Sequence, residues 1–203
     1  MSTSYTSNVF LNFPFDAQYH SIRNAIVFSV FDCGFVPRCA LEIDNSGEVR
    51  FDRIQRLINE SKFGIHDISR TEPDTATNLP RFNMPLELGV FIGAKRYGGT
   101  KQKQKNCLIL DIEQYRYQTF ISDIAGHDIR AHSNEPDQAI NHVRNWLNSA
   151  SGRRTIPGGS EILRRFTQFE SELPDMCQAI PIELHELTYN DYSNLVSEWL
   201  AAN

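Results

Sequence analysis

The sequence predicts an α/β protein, a doubly wound and mainly parallel sheet with extra helices at its C-terminal end. Three observations carry this reading. Residues 9–13, 63–68 and 107–111 are mainly apolar on both alternating faces and too short for helices, as strands covered on both sides are. Helical stretches separate them, so strand and helix alternate. Pro14, Gly34 and the Gly98-Gly99 pair punctuate the junctions.

The first strand stops at Pro14, and Asp16 or a neighbour caps a helix that runs to about Cys33, where Gly34 ends it. Residues 35–42 read as the second strand and 44–47 as a turn. Phe51, Ile54, Leu57 and Ile58 then recur at helical spacing. After the third strand, residues 71–81 are polar, contain Pro73 and Pro80, and lie just before Glu87, which makes them a candidate lid. The next helix is expected over about 85–97, with Asn83 as its cap, Pro85 at its first position and Glu87 in its first turn. The fourth strand ends in the carboxylate of Asp111.

Residues 115–126 suit a strand or a helix equally. Ile140, Val143, Trp146 and Leu147 mark a helix over about 136–150. Pro157-Gly-Gly breaks the chain, and amphipathic helices follow over about 160–173 and 189–202, as packing elements or a dimer contact. Residues 1–150 are thus expected to form the α/β domain and 151–203 a helical extension packed on it. The strand–helix order is close to a flavodoxin-like pattern.

With 203 residues and 40% hydrophobic content, the chain is long enough for one substantial core. A net charge of -5 argues against a nucleic-acid partner, and the basic run at 101–105 reads as a solvated loop. Cys33, Cys39, Cys107 and Cys177 are widely spaced, without a Cys-x-x-Cys pair, and read as reduced thiols of a cytoplasmic protein. Residues 1–7 lack the features of a signal peptide, and the apolar stretch at 25–31 is too short to cross a bilayer, so no membrane partner is expected. Asp123, His127, Asp128 and His132 lack regular ligand spacing, and no metal is expected there.

In open α/β sheets ligands bind beyond the carboxyl ends of the strands. Asp67 and Arg70 fall at such an end, and Glu87 opens the helix that follows. His66 faces away from Asp67 in an extended strand and reads as a packed histidine.

These residues resemble two related groups, the nucleoside 2-deoxyribosyltransferases and the TIR-type domains that cleave NAD. Residues 9–15, Val-Phe-Leu-Asn-Phe-Pro-Phe, are similar to the first strand and Pro-Phe turn of the transferases. His66-Asp67, Glu87-Leu-Gly89 and the Cys107 to Asp111 strand resemble their acidic strand end, nucleophile helix and fourth strand. The likeness covers roughly the first half of the chain. Asn-Met-Pro stands before the glutamate where the transferases have a small, glycine-containing turn, and the long loop at 69–81 carries arginines. Both departures suit a larger substrate such as NAD.

The resemblance implies an N-glycosidase that cleaves the nicotinamide–ribose bond of NAD or a related nucleotide, in antiphage defence. Glu87 would meet the oxocarbenium character that develops at the anomeric carbon. Asp67 would orient the sugar or Glu87, Arg70 or Arg81 would hold a phosphate, Asn12 and Asn83 would offer amides, and Phe13, Pro14 and Phe15 would form the turn with an aromatic face for a base. NAD enters as substrate, with no resident cofactor, and a homo-oligomer is expected. The alternatives are a nucleoside 2-deoxyribosyltransferase or nucleoside hydrolase, and a non-catalytic nucleotide-sensing or scaffolding domain.

Overall fold

The computed structural model describes residues 4–73 and 78–203. It is an α/β fold whose five strands are all parallel, in the order β2-β1-β3-β4-β5, as in flavodoxin-like doubly wound proteins. The strands are β1 (Asn8–Asn12), β2 (Val36–Arg38), β3 (Phe63–Asp67), β4 (Asn106–Asp111) and β5 (Ile129–Ala131). The helices are α1 (His20–Asp32), α2 (Arg50–Asn59), α3 (Asn83–Tyr97), α4 (Pro136–Ser151), α5 (Gly159–Ala179) and α6 (Tyr189–Ala202). β1 and β3 lie inside the sheet and are buried at every position, which is why their sequences do not alternate.

One face of the sheet is covered by α1 and α4, the other by α2 and α3. In α1, residues 24–30 are all buried, so the helix has no solvated face in its middle. A helix apolar all round must be covered on both sides. The sheet covers one side and the C-terminal helices the other: the Phe28 ring lies 5.5 Å from both Phe166 and Phe169 and 6.0 Å from Trp199. The core therefore runs without a break from β1 through α1 to α5 and α6.

Several boundaries differ from expectation. β2 ends at Arg38, after which the chain turns, and the buried Arg53 guanidinium donates to the carbonyls of Ala40, Ile43 and Asn45. Those carbonyls meet an arginine rather than a sheet partner, which ends the strand early. Residues 115–126 are neither strand nor long helix: they form two short 3-10 turns, Arg116–Thr119 and Ser122–Ile124. The edge strand β5 is too short to show periodicity in sequence. α5 continues past Pro174, because burying Leu173 and Cys177 extends the stripe of Ile162, Phe166 and Phe169 beyond the hydrogen bond the proline removes.

No described helix is long and apolar enough to cross a membrane. The cysteines are free thiols, buried except for the half-buried Cys107.

Candidate active site

The carboxyl ends of β1 and β3 bring the site together. Asn12, the last residue of β1, donates from Nδ2 to the Met84 carbonyl (2.8 Å) and lies 3.1 Å from His66 Nδ1. The amide tethers the first turn of α3 to the sheet. Because Asn12 Nδ2 is a donor, His66 Nδ1 accepts and the ring proton sits on Nε2. Burial, with some help from Lys105, pushes His66 down to about 3, so it is neutral. As expected it packs, edge-on to Phe91 at 4.9 Å. Gly64 makes room for this: a Cβ there would sit 2.7 Å from the Phe91 ring.

α3 begins two residues earlier than expected. Asn83 is its first residue rather than its cap, and Phe82 occupies the cap position with no side-chain hydrogen bond. Pro85 is still within the first turn, whose N–H groups have no intrahelical partner. Glu87 consequently stands in the second turn. The backbone N–H groups at the helix end are thus not its direct neighbours, and a different electrostatic setting governs it.

That setting is a narrow cavity of about 130 Å³ whose wall includes Asn12, Pro14, Phe15, Arg50, Asn83 and Glu87. Glu87 is 8% exposed and makes no side-chain hydrogen bond or ion pair among the described residues. Burial pushes its carboxyl up to about 7, with Arg50 pulling in the opposite sense. Asp16, Arg70 and Arg81 line both this cavity and a wider outer hollow of about 470 Å³, which Gln18, Glu72 and Pro73 help to enclose. Arg70 is held by Asp16 (3.3 Å) and Gln18 (3.2 Å), whereas Arg81 is exposed at the mouth.

The structure therefore brings Asn12, Pro14, Phe15, Arg70, Arg81, Asn83 and Glu87 to one cavity. No family model, curated protein or solved structure matches the chain. The chemistry of the site is accordingly read from its own residues.

Asp67 and Phe13 do not line the cavity. Asp67 is fully buried behind it, where it accepts from Tyr19 Oη (2.5 Å) and the Ser69 N–H (2.9 Å) and lies 3.0 Å from His132 Nε2. Burial alone would raise its carboxyl, but His132, Ser69 and Tyr19 together hold it below its ordinary value. His132 Nδ1 accepts from the Asn134 N–H, which puts the ring proton on Nε2, facing the carboxylate. Asp67 thus joins the loops after β1, β3 and β5 and does not line the cavity beside Glu87. Phe13 is fully buried and supports Phe15 edge-on at 5.5 Å.

Two residues escaped the sequence reading. Arg50 opens α2, which follows β2 in a parallel sheet and so starts at the same end as Glu87; that position is the signal that could have found it. Arg116 anchors the loop after β3, donating to Asp111 Oδ1 (2.5 Å), the Ile68 carbonyl (3.0 Å) and Thr71 Oγ1 (2.9 Å). The candidate lid starts from this anchor, and Pro73 and Pro80 form an antiparallel bridge across it. Residues 74–77 of that expected lid lie outside the described residues.

Cationic side chains at the mouth suit an anionic ligand. Among the described residues no group of three His, Cys, Asp or Glu is arranged to hold a metal.

Proposed function

We propose that the protein cleaves the N-glycosidic bond between nicotinamide and ribose in NAD or a related nucleotide, with Glu87 as the catalytic carboxylate. The observation that carries this reading is Glu87 itself, a buried carboxyl without a hydrogen-bond or ion-pair partner among the described residues that opens onto a narrow cavity with arginines at its mouth. A structural glutamate so deeply buried would be paired or hydrogen-bonded. An unpaired one is held ready for a ligand.

The chemistry follows from the bond. As the C1′–N bond breaks, its electron pair leaves with nicotinamide, which becomes neutral, and positive charge develops on the ribose. Glu87 opposes that charge or adds to C1′ as a nucleophile, and water then completes the hydrolysis. A narrow cavity that limits solvent around the carboxylate strengthens its effect, because less water screens it. The Glu87 carboxyl near 7 is only partly ionised around neutrality. A nicotinamide ring entering beside it is cationic and favours the ionised form.

The division of the site supports a nucleotide over a free nucleoside. The inner cavity is ribose-sized, while Arg70 and Arg81 stand where it meets the outer hollow. A phosphate bridge placed there would meet both guanidinium groups. A deoxynucleoside would leave both unused. We further propose antiphage defence as the setting and a cytoplasmic homo-oligomer as the acting form, on the resemblance to TIR-type domains alone.

The test is to incubate the full chain, at low and high concentration, with NAD and separately with deoxynucleosides, and to follow nicotinamide or free base alongside Glu87→Gln. Nicotinamide release that vanishes in Glu87→Gln is the expected result. Free base from deoxynucleosides would transfer the protein to the deoxyribosyltransferase class. NAD or ADP-ribose binding without product at every concentration would make it a nucleotide sensor and overturn the enzymatic reading.

A further inference from the structure

The basic run at 101–105 is dispersed by the fold. The Lys101 ammonium sits 4.3 Å from the Tyr5 ring. Lys105 is buried, and its Nζ donates to the Ile58 carbonyl (2.5 Å) and the Ser61 carbonyl at the end of α2, where the helix's partial negative charge suits a cation. Between them, the Lys103 side chain makes no hydrogen bond or ion pair among the described residues. It faces a cavity of about 590 Å³ at the amino end of β4, the opposite end of the sheet from Glu87.

The same cavity receives Lys95 and Arg96 from the last turn of α3 and His127 from the segment before β5, and no carboxylate among the described residues lines it. Lys95 and Arg96 also complement the dipole of α3. That role does not account for Lys103 and His127, which arrive from separate elements at the same space. Two polar side chains are oriented toward use. Asn106 Oδ1 accepts from Trp146 Nε1 (2.8 Å), leaving its Nδ2 as a donor, and His127 Nδ1 donates to the Ile124 carbonyl (2.9 Å), leaving Nε2 open. In a chain of net charge -5, this is a local concentration of positive charge.

We propose that this cavity is a second ligand site, taking a small phosphorylated molecule. Lys95, Arg96 and Lys103 meet its phosphate oxygens, and the half-buried Ile92 and Cys107 meet its apolar part. The volume is that of a site for a nucleotide-sized ligand. A hollow with so few cations suits a small anion better than a nucleic acid, which needs an extended basic stripe. The proposal is independent of the role of Glu87.

Cys107 provides a local reporter, since it lies in the cavity wall while the other cysteines are buried elsewhere. Alkylation of Cys107 in the full chain by a small maleimide is followed during titration with tripolyphosphate, ADP and a short single-stranded oligonucleotide. Tripolyphosphate and ADP are expected to protect Cys107. Lys95→Glu/Lys103→Glu, at solvated positions that leave the core intact, should weaken that protection by about tenfold or more. Arg70→Ala/Arg81→Ala, at the other end of the sheet, should leave it unchanged. Protection that survives the charge reversal, protection by the oligonucleotide alone, or no protection of the folded wild-type protein would each overturn the proposal.

Discussion

Arg50 and Glu87 face one cavity from the start of α2 and the second turn of α3, and Arg50 counteracts the burial that holds the Glu87 carboxyl near 7. The cation is exposed and the carboxylate is not, so the pair is a long-range influence rather than a salt bridge. Removing the cation should therefore move the acid limb of the pH profile. In the wild-type protein, kcat/KM for nicotinamide release should rise with pH and level off above about 7. In Arg50→Ala the same limb should lie at higher pH, with the alkaline plateau largely kept. A limb that stays in place would separate Arg50 from Glu87.

The raised carboxyl also has a cost in stability. Folded Glu87 holds its proton up to about 7 against an ordinary value of 4.5, so the folded state binds the proton more tightly than the unfolded chain. The stability this confers is full below 4.5 and is lost as pH rises through 7. Glu87→Gln removes the titration. It should be more stable than the wild-type protein at pH ~8, by up to about 3 kcal/mol, with the difference closing below pH ~4.5. Urea unfolding at both pH values measures this, and equal stability at pH ~8 would show that Glu87 is not buried in solution.

Much of this site is legible in the sequence because its residues sit where chain direction changes. Pro14, Pro85 and Gly34 mark the ends of elements, and a parallel sheet gathers the strand ends on one side. Asn12, Arg70, Arg81 and Glu87 follow from that rule. Asp67 falls at the same end, but whether a strand-end carboxylate turns into the cavity or into the core depends on Tyr19 and His132. Those residues lie 48 and 65 positions away, the distances 67 − 19 and 132 − 67, and no local pattern reports them. β5 was illegible for another reason: three residues on a sheet edge carry too little periodicity to stand out. The C-terminal helices were visible as helices, while their partner was hidden in the uniform apolarity of α1.

The position of Asp67 behind the cavity separates stability from catalysis. Tyr19→Phe removes a donor to a fully buried carboxylate while leaving the cavity wall intact. It should cost about 1.5–3 kcal/mol, as expected for a hydrogen bond to a charged group. Nicotinamide release at saturating NAD should be unchanged in the protein that remains folded. Thermal unfolding and kcat, measured on one preparation, test the two halves; a fall in kcat without a fall in stability would return Asp67 to the reaction.

Covering α1 requires the last quarter of the chain. Phe28 is fully buried because Phe166, Phe169 and Trp199 lie on it, so a chain ending at Ser151 would present a continuous apolar helix to water. Such a face lies well beyond what a soluble monomer exposes. The truncated chain should aggregate or lose its cooperative unfolding transition, as seen by size-exclusion chromatography and circular dichroism. A folded, monomeric 1–151 fragment would make the helices a separable module.

The rim arginines offer a way to ask which part of the substrate each half of the site reads. Arg81 has no partner among the described residues and lines both hollows, while the smaller cavity, of about 130 Å³, also reaches Glu87. A contact with phosphate made equally before and during bond breaking alters KM and leaves kcat alone. Arg81→Ala should therefore raise KM for NAD by about tenfold. For nicotinamide riboside, which lacks the phosphates, the variant and the wild-type protein should have the same KM. Steady-state kinetics with both substrates measure the difference. Equal losses on the two would mean that Arg81 shapes the cavity rather than reading phosphate, and would move the phosphate contact to Arg70 or Arg50.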